Sequence, residues 1–452
     1  MSKNVTTAIV IGGGISGPVT AMALARAGIA ATVHETRPGP DDAPGGSIAI
    51  APNGVAALST VDAEHAVLDH SQPLSHSVLA IGRRRIAVPG LADAGPLQMV
   101  RRDALHRSLH EEASARGIPF RYGARLVGAE SDGTGVTAMF ADGTTATADV
   151  LIGADGVHST VRRIIDPNAP GAAYTGLLGF EGAADVDVPG GPDTMTFAFG
   201  RRAYYLYWGG VGGGAGWGAN LPGREPLTLA QARQRSNEEW LRVLAETYGD
   251  DDPGAALVRN TPPDRLQVTG ALHIMPPVPH WHRDRMVLVG DAAHAPSNSS
   301  GQGASLAIES AVELARCLRD LPDAATAFAA YEGLRRARVE GVAARAAKVN
   351  HVKAPGPVAR AVLPVLMPVF ARLMRPEKTL GPEQRFRIDW DARVAVPDLS
   401  RLRRSGLARP GDDDLLPRCS RPASFLRGAL RASSASRRRA LAPGLQSITR
   451  PR

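Results

Sequence analysis

Ala8-Ile-Val-Ile-Gly12-Gly-Gly14-Ile15-Ser16-Gly17 opens a stretch that continues through an Ala/Leu-rich segment to Gly28 and then reads Ile29-Ala-Ala-Thr-Val-His-Glu35. An apolar run leading into G-x-G-x-x-G predicts a buried parallel strand handing over to a helix. Gly12 permits the tight turn, Gly14 lets the backbone approach a pyrophosphate, and Gly17 lets the helix lie close to the sheet. Free amides at the helix N-terminus, backed by the helix dipole, favour phosphate there. Gly28 is placed to end the helix as a C-cap. The second strand, Ile29 to Val33, delivers Glu35 eighteen residues beyond Gly17, where a ribose hydroxyl needs an acceptor. The stretch predicts dinucleotide binding and does not separate FAD from NAD.

Composition narrows the class. The chain has 452 residues, enough for two or three structural units. Its two cysteines, Cys317 and Cys419, include no CxxC, which argues against a disulfide framework or a cysteine metal site. The first strand starts within a few residues of Met1, leaving no room for a signal peptide. No apolar run reaches the about 18 residues that span a bilayer. The expectation is a soluble, cytoplasmic protein. The net charge of +8 is concentrated at one end: residues 401–452 carry a net +10, leaving −2 for residues 1–400. A near-neutral body with a basic tail argues against a nucleic-acid-binding body. Lysine occurs only at 3, 348, 353 and 378, which excludes a catalytic lysine between the first two of these.

Two more stretches carry chemistry. A short strand through Gly45-Gly46-Ser47 leads to a helix with Asn53 as N-cap, and residues 74–100 read as strands of a second sheet. A helix opens at Arg102-Asp103, and residues 118–151 form a β-meander with turns at Asp132-Gly133 and Asp142-Gly143. The meander ends in an apolar strand that enters Gly153-Ala-Asp155-Gly156. An acid there fits either the ligand-binding edge of an α/β sheet or a helix-capping turn. Residues 174–222 are aromatic and glycine-rich and predict antiparallel strands, with 209–216 as a hairpin loop. Residues 227–249 read as helix and 268–275 as strand. Then a buried strand ends in Gly290-Asp291-Ala-Ala-His294, followed by Gly301-Gln-Gly303-Ala304 and a helix. Asp291 is placed to accept a hydrogen bond from a cofactor polyol, and the helix N-terminus favours an anionic group such as a reduced flavin ring. His294 has no partner at metal-ligand spacing and reads as structural. A long helix follows over 324–350. The Pro-punctuated amphipathic run 357–375 is expected to pack on the body, and the Arg/Ser/Ala/Pro-rich end has the composition of a disordered tail.

Taken in this order, the three motifs resemble the single-component (class A) FAD-dependent aromatic hydroxylases, the group of salicylate and p-hydroxybenzoate hydroxylases, over roughly residues 5 to 350. The resemblance implies an α/β fold: a Rossmann-like FAD-binding domain of the glutathione-reductase type, an inserted mixed or antiparallel substrate sheet, and C-terminal helices. It divides the chain into FAD-binding segments 1–73, 100–175 and 276–350, substrate-sheet segments 74–99 and 176–275, a helical cover 351–400 and the tail 401–452. By the same resemblance Gly12, Gly14, Ile15, Ser16 and Gly17 hold the pyrophosphate and Glu35 the adenosine ribose. Arg102 meets the cofactor phosphates, Leu126 backs the adenine, and Asp155 with Gly156 serves FAD and the nicotinamide co-substrate. Gly290 and Asp291 meet the ribityl chain, and Gly301, Gly303 and Ala304 run beside the flavin ring. Tyr205, Tyr207 and Trp217 become candidate walls of the substrate pocket, and no pattern names a catalytic base. Pro18 and Ser305 depart from the family pattern, Ser305 standing where asparagine is common.

The implied chemistry is reduction of FAD by NADH or NADPH, addition of O2 to give a flavin C4a-hydroperoxide, and transfer of its distal oxygen to a small aromatic substrate. No metal is called for. Gly216-Trp-Gly-Ala-Asn-Leu-Pro222 faintly echoes a flavin-halogenase motif, but Ala219 replaces its second tryptophan and the central lysine is missing. An epoxidase or C=C reductase of the same fold stays open, as does a non-catalytic flavoprotein whose basic tail binds nucleic acid or membrane.

Overall fold

A computed structural model describes residues 5–40, 46–91, 93–353 and 376–395. The amphipathic run 357–375 and the basic tail lie outside them.

The apolar runs of the three motifs become neighbouring strands. Thr7–Ile11 lies at the centre of a six-stranded sheet, parallel to Ala30–His34 on one side and to Val150–Gly153 on the other. Met286–Leu288 extends the sheet in parallel beyond Val150–Gly153, and Phe120–Arg121 beyond Ala30–His34. The sheet closes with the short antiparallel strand His282–Arg283. Val10, Val33, Ile152 and Val287 are completely buried, as continuous apolar strands covered on both faces require. Helix Ser16–Arg26 packs against helix Gly303–Asp320, which also receives helix Pro52–Ser59. Gly28, at φ +76°, ends the first of these: its amide bonds to Ala25 O at 2.9 Å and the next amide to Leu24 O at 2.9 Å. Strands ending at Ile11, His34, Gly153 and Leu288 therefore bring the glycine loop, Glu35, Asp155 and Asp291 to one edge of the sheet, where α/β folds bind ligands.

A seven-stranded sheet forms the second layer, in the order Leu266–Ile274, Ala173–Ala184, Ala215–Pro222, Tyr204–Gly209, Thr194–Phe199, His76–Ile81 and Arg84–Val88. Its pairings are antiparallel except Thr194–Phe199 with His76–Ile81. The segment 74–100 divides: its first two strands join this sheet, whereas Leu97–Arg101 pairs with Ser47–Ile50 and Ser71–Leu74 in a separate three-stranded sheet. The predicted meander is the three-stranded sheet Leu126–Ser131, Val136–Phe140 and Thr145–Ala148. The helical expectation over 227–249 resolves into Leu229–Ala232 and Asn237–Tyr248, each opened by a capping box. Among the described residues no helix is long and apolar enough to cross a membrane.

The large sheet corrects one expectation. Tyr205, Tyr207 and Trp217 all face the helices Asn237–Tyr248 and Gly254–Arg259, in a core shared with Phe180, Trp240 and Tyr248. Tyr207 is completely buried and Trp217 is 1% exposed. Their polar ends are satisfied there: Trp217 Nε1 donates to Thr261 Oγ1 at 2.9 Å, and Tyr207 Oη is bonded by Arg85. They pack the helix side of the sheet as core. Trp217→Phe is expected to cost about 2–3 kcal/mol, through loss of the Thr261 bond together with the cavity the smaller ring leaves, with no change in substrate KM; chemical denaturation together with steady-state kinetics checks both.

Candidate active site

The glycines divide into two kinds. Gly12 (φ +103°) and Gly17 are constrained by the protein itself: a Cβ would lie 2.4 Å from Ala154 O at the first and 1.9 Å from Gly12 O at the second. Gly14 is different, since a Cβ there would meet no atom within 4 Å. Its open side faces away from the packed body. The helix that follows begins after Ile15 with no side-chain cap and no acid in its first turn, so its leading amides are available to an external anion. Ser16 is buried against Gly290, whose missing Cβ would come within 2.9 Å of Ser16 Oγ.

Glu35 closes one side of the loop. Its Oε2 accepts the Gly13 amide at 2.6 Å and its Oε1 the Arg37 amide at 2.8 Å. Below the loop, His110 Nε2 bonds Gly13 O, His106 stacks on His110 at 4.2 Å, and Arg37 approaches His106 at 3.4 Å. Burial, the neighbouring His110 and Arg37 push His106 down to about 4, so it is neutral at physiological pH. Sequence reasoning missed this pair. Its signal was the i, i+4 spacing of two histidines on one helix face. Leu126 is buried in the core beside Phe140.

The second motif is a brace. Asp155 turns its carboxylate into helix Thr160–Ile165, accepting from Thr160 N at 2.7 Å, Val161 N at 3.1 Å and Ser159 Oγ. Gly156 supplies the left-handed turn at φ +77°. From that helix the buried Arg162 donates to Ala292 O at 2.9 Å, tying the second motif to the third. Arg162 was also missed, a lone arginine in an arginine-rich chain.

Gly290 (φ +61°) starts a tight turn whose carbonyl accepts from Ala293 and His294. Asp291 is open to solvent yet sits deep among protein atoms; desolvation raises its carboxyl pKa and the Arg102 guanidinium opposes the shift. Arg102 opens helix Arg102–Ala115 and fixes its own backbone to Gly46 O at 2.6 Å. His294 is structural: Nε2 pairs with Ser310 Oγ at 2.9 Å and burial pushes its pKa down to about 3. Among the described residues no cluster suits a metal ion.

Gly301 (φ +59°) and Gly303 also have open sides, with nothing within 4 Å of a Cβ at either. Helix Gly303–Asp320 begins uncapped and without an acid in its first turn, leaving a second set of amides for an anionic group, with Ala304 buried just behind. Ser305 takes a different task from the asparagine common there: it is completely buried and accepts the Ala51 amide at 3.0 Å, close under Gly54. Asn53 is not an N-cap. Helix Pro52–Ser59 starts after Ala51, and the Asn53 amide donates to Gln302 Oε1 at 2.9 Å and Glu309 Oε1 at 2.7 Å.

Two open glycine turns, two uncapped helix N-termini, and Asp291 with Arg102 beside them fit a dinucleotide that carries a ring able to bear negative charge. A model of the FAD binding domain matches residues 5–204 and 258–346, more than half of the chain. The chain belongs to the FAD-dependent aromatic hydroxylase family. This hydroxylase is 30% identical to the 3-amino-4-hydroxybenzoate 2-monooxygenase PtmB3 of Streptomyces platensis, over 78% of its own length and 89% of the relative's. It is 27% identical to the aurachin C monooxygenase/isomerase of Stigmatella aurantiaca, over 77% and 90%. The crystal structure of a single-substitution variant of Klebsiella pneumoniae HpxO complexed with FAD superposes with a TM-score of 0.71 at 25% identity, covering 83% of this hydroxylase and 97% of that chain. FAD is its cofactor, and its class is the flavoprotein monooxygenases.

Proposed function

We propose that this hydroxylase adds one atom of O2 to an electron-rich aromatic compound, using NADH or NADPH, on the face of the large sheet opposite Tyr205 and Tyr207. The observation that carries this is the apolar cluster on that face: Met195 and Trp208 pair across two strands, Phe197 and Leu206 flank them, and Met99, Leu74 and Ala49 approach from the small sheet. Asn220 Oδ1 meets Asn298 Nδ2 at 3.4 Å, joining the same sheet to the loop that leads to Gly301. Aromatic and sulfur-containing side chains suit a flat, polarizable ligand.

Bound FAD supplies hydride acceptance and oxygen activation. The chain supplies the rest. Gly12, Gly14, Ile15, Ser16 and Gly17 present amides to the pyrophosphate, and Arg102 adds positive charge. Glu35 offers its remaining lone pairs to the adenosine ribose while pinning the loop, and Leu126 backs the adenine. Gly290 and Asp291 hold the ribityl chain. Gly301, Gly303 and Ala304 place a helix N-terminus against the ring, where it favours negative charge. Asp155 and Gly156 act through Arg162, as a brace for the Gly290 turn. The relatives named for 3-amino-4-hydroxybenzoate and 3-hydroxybenzoate support a substrate ring bearing a hydroxyl or amino group.

The test is to purify the yellow protein and follow NADH and NADPH oxidation with a panel of phenolic and polycyclic aromatic compounds. Acceleration by one compound, with a product heavier by one oxygen, is the expected result. Reduction that no aromatic compound accelerates would sink this reading.

A further inference from the structure

We infer that Glu181 accepts a hydrogen bond from an O–H or N–H group on the substrate ring, and so selects ring donors over their methylated counterparts. The inference rests on the substrate face proposed above. Glu181 lies in the middle of strand Ala173–Ala184, between Gln267 and Gly218 on the neighbouring strands. Its neighbours in sequence, Phe180 and Gly182, point to the helix side: Phe180 is in that core, and a Cβ on Gly182 would strike Trp217. Glu181 therefore points the other way, to the face that carries Leu206 and Phe197.

The register makes this a trough. Glu181 pairs with Gly218, Gly218 with Leu206, and Leu206 with Phe197. Gly218 has no side chain, and Leu206 leans toward the vacant position, its Cδ1 3.5 Å from where a Cβ would lie; the strand that carries the carboxylate runs about 5 Å to the other side of that glycine. A substrate ring laid on this face would put its apolar end toward Leu206, Phe197 and Trp208 and its donor toward Glu181. The carboxylate is held rather than free to swing. The Ser47 amide bonds to it, and a Cβ on Gly46 would lie 3.1–3.3 Å from both oxygens, so glycine at 46 is what admits it. The charged groups that face it are Arg101, at the end of strand Leu97–Arg101, and Arg102, at the head of the next helix. Burial nevertheless pushes Glu181 up to about 7, against the Ser47 bond and both arginines. It is an acceptor with full negative charge above that pH and loses the charge as pH falls through it.

The experiment titrates the FAD-loaded full chain with 1-naphthol and 2-naphthol and with their O-methyl ethers, following the flavin spectrum from pH 6 to 8.5. Wild type is expected to prefer the hydroxyl compounds by about tenfold to a hundredfold above pH 7, and the preference should shrink as pH drops through 7. E181Q is expected to keep its FAD and to lose both the preference and its pH dependence, whereas E181D, which keeps the charge, restores part of each. If E181Q retains both, the assignment is overturned while the hydroxylase reading stands. If E181Q and E181D emerge without FAD, Glu181 belongs to the cofactor cradle and the assignment is equally wrong. If no aromatic probe perturbs the wild-type flavin, the proposed substrate face fails and takes this inference with it.

Discussion

Gly14→Val is expected to yield a folded, colourless protein. Glycine loops are usually tested by substitutions that confuse loss of ligand with loss of fold, and the geometry here separates the two. Gly14 lies outside the left-handed region, and a Cβ built on it meets no protein atom within 4 Å. Valine therefore costs the apoprotein little, but its methyl groups occupy the space where a pyrophosphate must approach the backbone. FAD affinity should fall at least about a hundredfold, ~2.7 kcal/mol. The apoprotein's thermal midpoint should stay within a degree or two of the wild-type apoprotein's. Gly17→Ala behaves in the opposite way: its Cβ would lie 1.9 Å from Gly12 O, so the strand–helix turn must open and the apoprotein itself is destabilised. Flavin absorbance after reconstitution, with melting curves of the apoproteins, distinguishes the two effects. A yellow Gly14→Val protein with wild-type FAD affinity would mean that the pyrophosphate does not pass over this residue.

What could be read from the sequence was whatever depends on local order. Each of the three motifs is an apolar strand followed by a glycine turn, and each strand took its place in the parallel sheet because continuous apolar strands must be covered on both faces. The starts of the helices at Ser16, Arg102 and Gly303 could be read for the same reason. Orientation could not. Alternation in Tyr204–Gly209 establishes that Tyr205 and Tyr207 share one face and Leu206 and Trp208 the other, but period-two patterning is symmetric and does not say which face meets the cofactor. Both faces carry aromatics here, and the larger set went to the helices. Asp155 shows a similar limit: the sequence offered both the sheet edge and a helix-capping turn without choosing, and the backbone takes the first while the carboxylate takes the second. Contacts between distant segments were also hidden, such as Asn53 with Glu309 across 256 residues, because a buried polar pair leaves no periodic trace in either helix.

That hidden contact belongs to the network with the largest expected effect on stability. Glu309 and Arg335 are both completely buried and 2.7 Å apart; Arg338 meets both Glu309 oxygens at 2.8 Å, and Asn53 adds a bond at 2.7 Å. Burial works to raise the Glu309 pKa, but Arg335 and Arg338 outweigh it and hold the carboxyl below its usual value. The network reaches the cofactor side through Asn53 to Gln302, and through Arg335 to Ser310 and His294. On its other side Arg338 donates to Pro382 O and Glu383 O, both at 2.9 Å, fastening the segment 376–395. Glu309→Ala removes the carboxylate that bridges both guanidiniums, and Arg335 is left buried without this counter-charge. Breaking a buried pair in this way costs about 3–5 kcal/mol, enough to unfold many domains of ordinary stability. FAD affinity should fall as well, since Gln302 loses the support that Asn53 receives from Glu309. The triple variant E309L/R335M/R338M, which removes all three charges, should recover most of the stability, because an apolar replacement of a buried ion cluster leaves no uncompensated charge. Urea denaturation of the three proteins, with and without FAD, measures both effects. Equal midpoints for wild type and Glu309→Ala would show that water reaches the arginines in place of the carboxylate, and that the network does not hold the flavin-side helix to its neighbours.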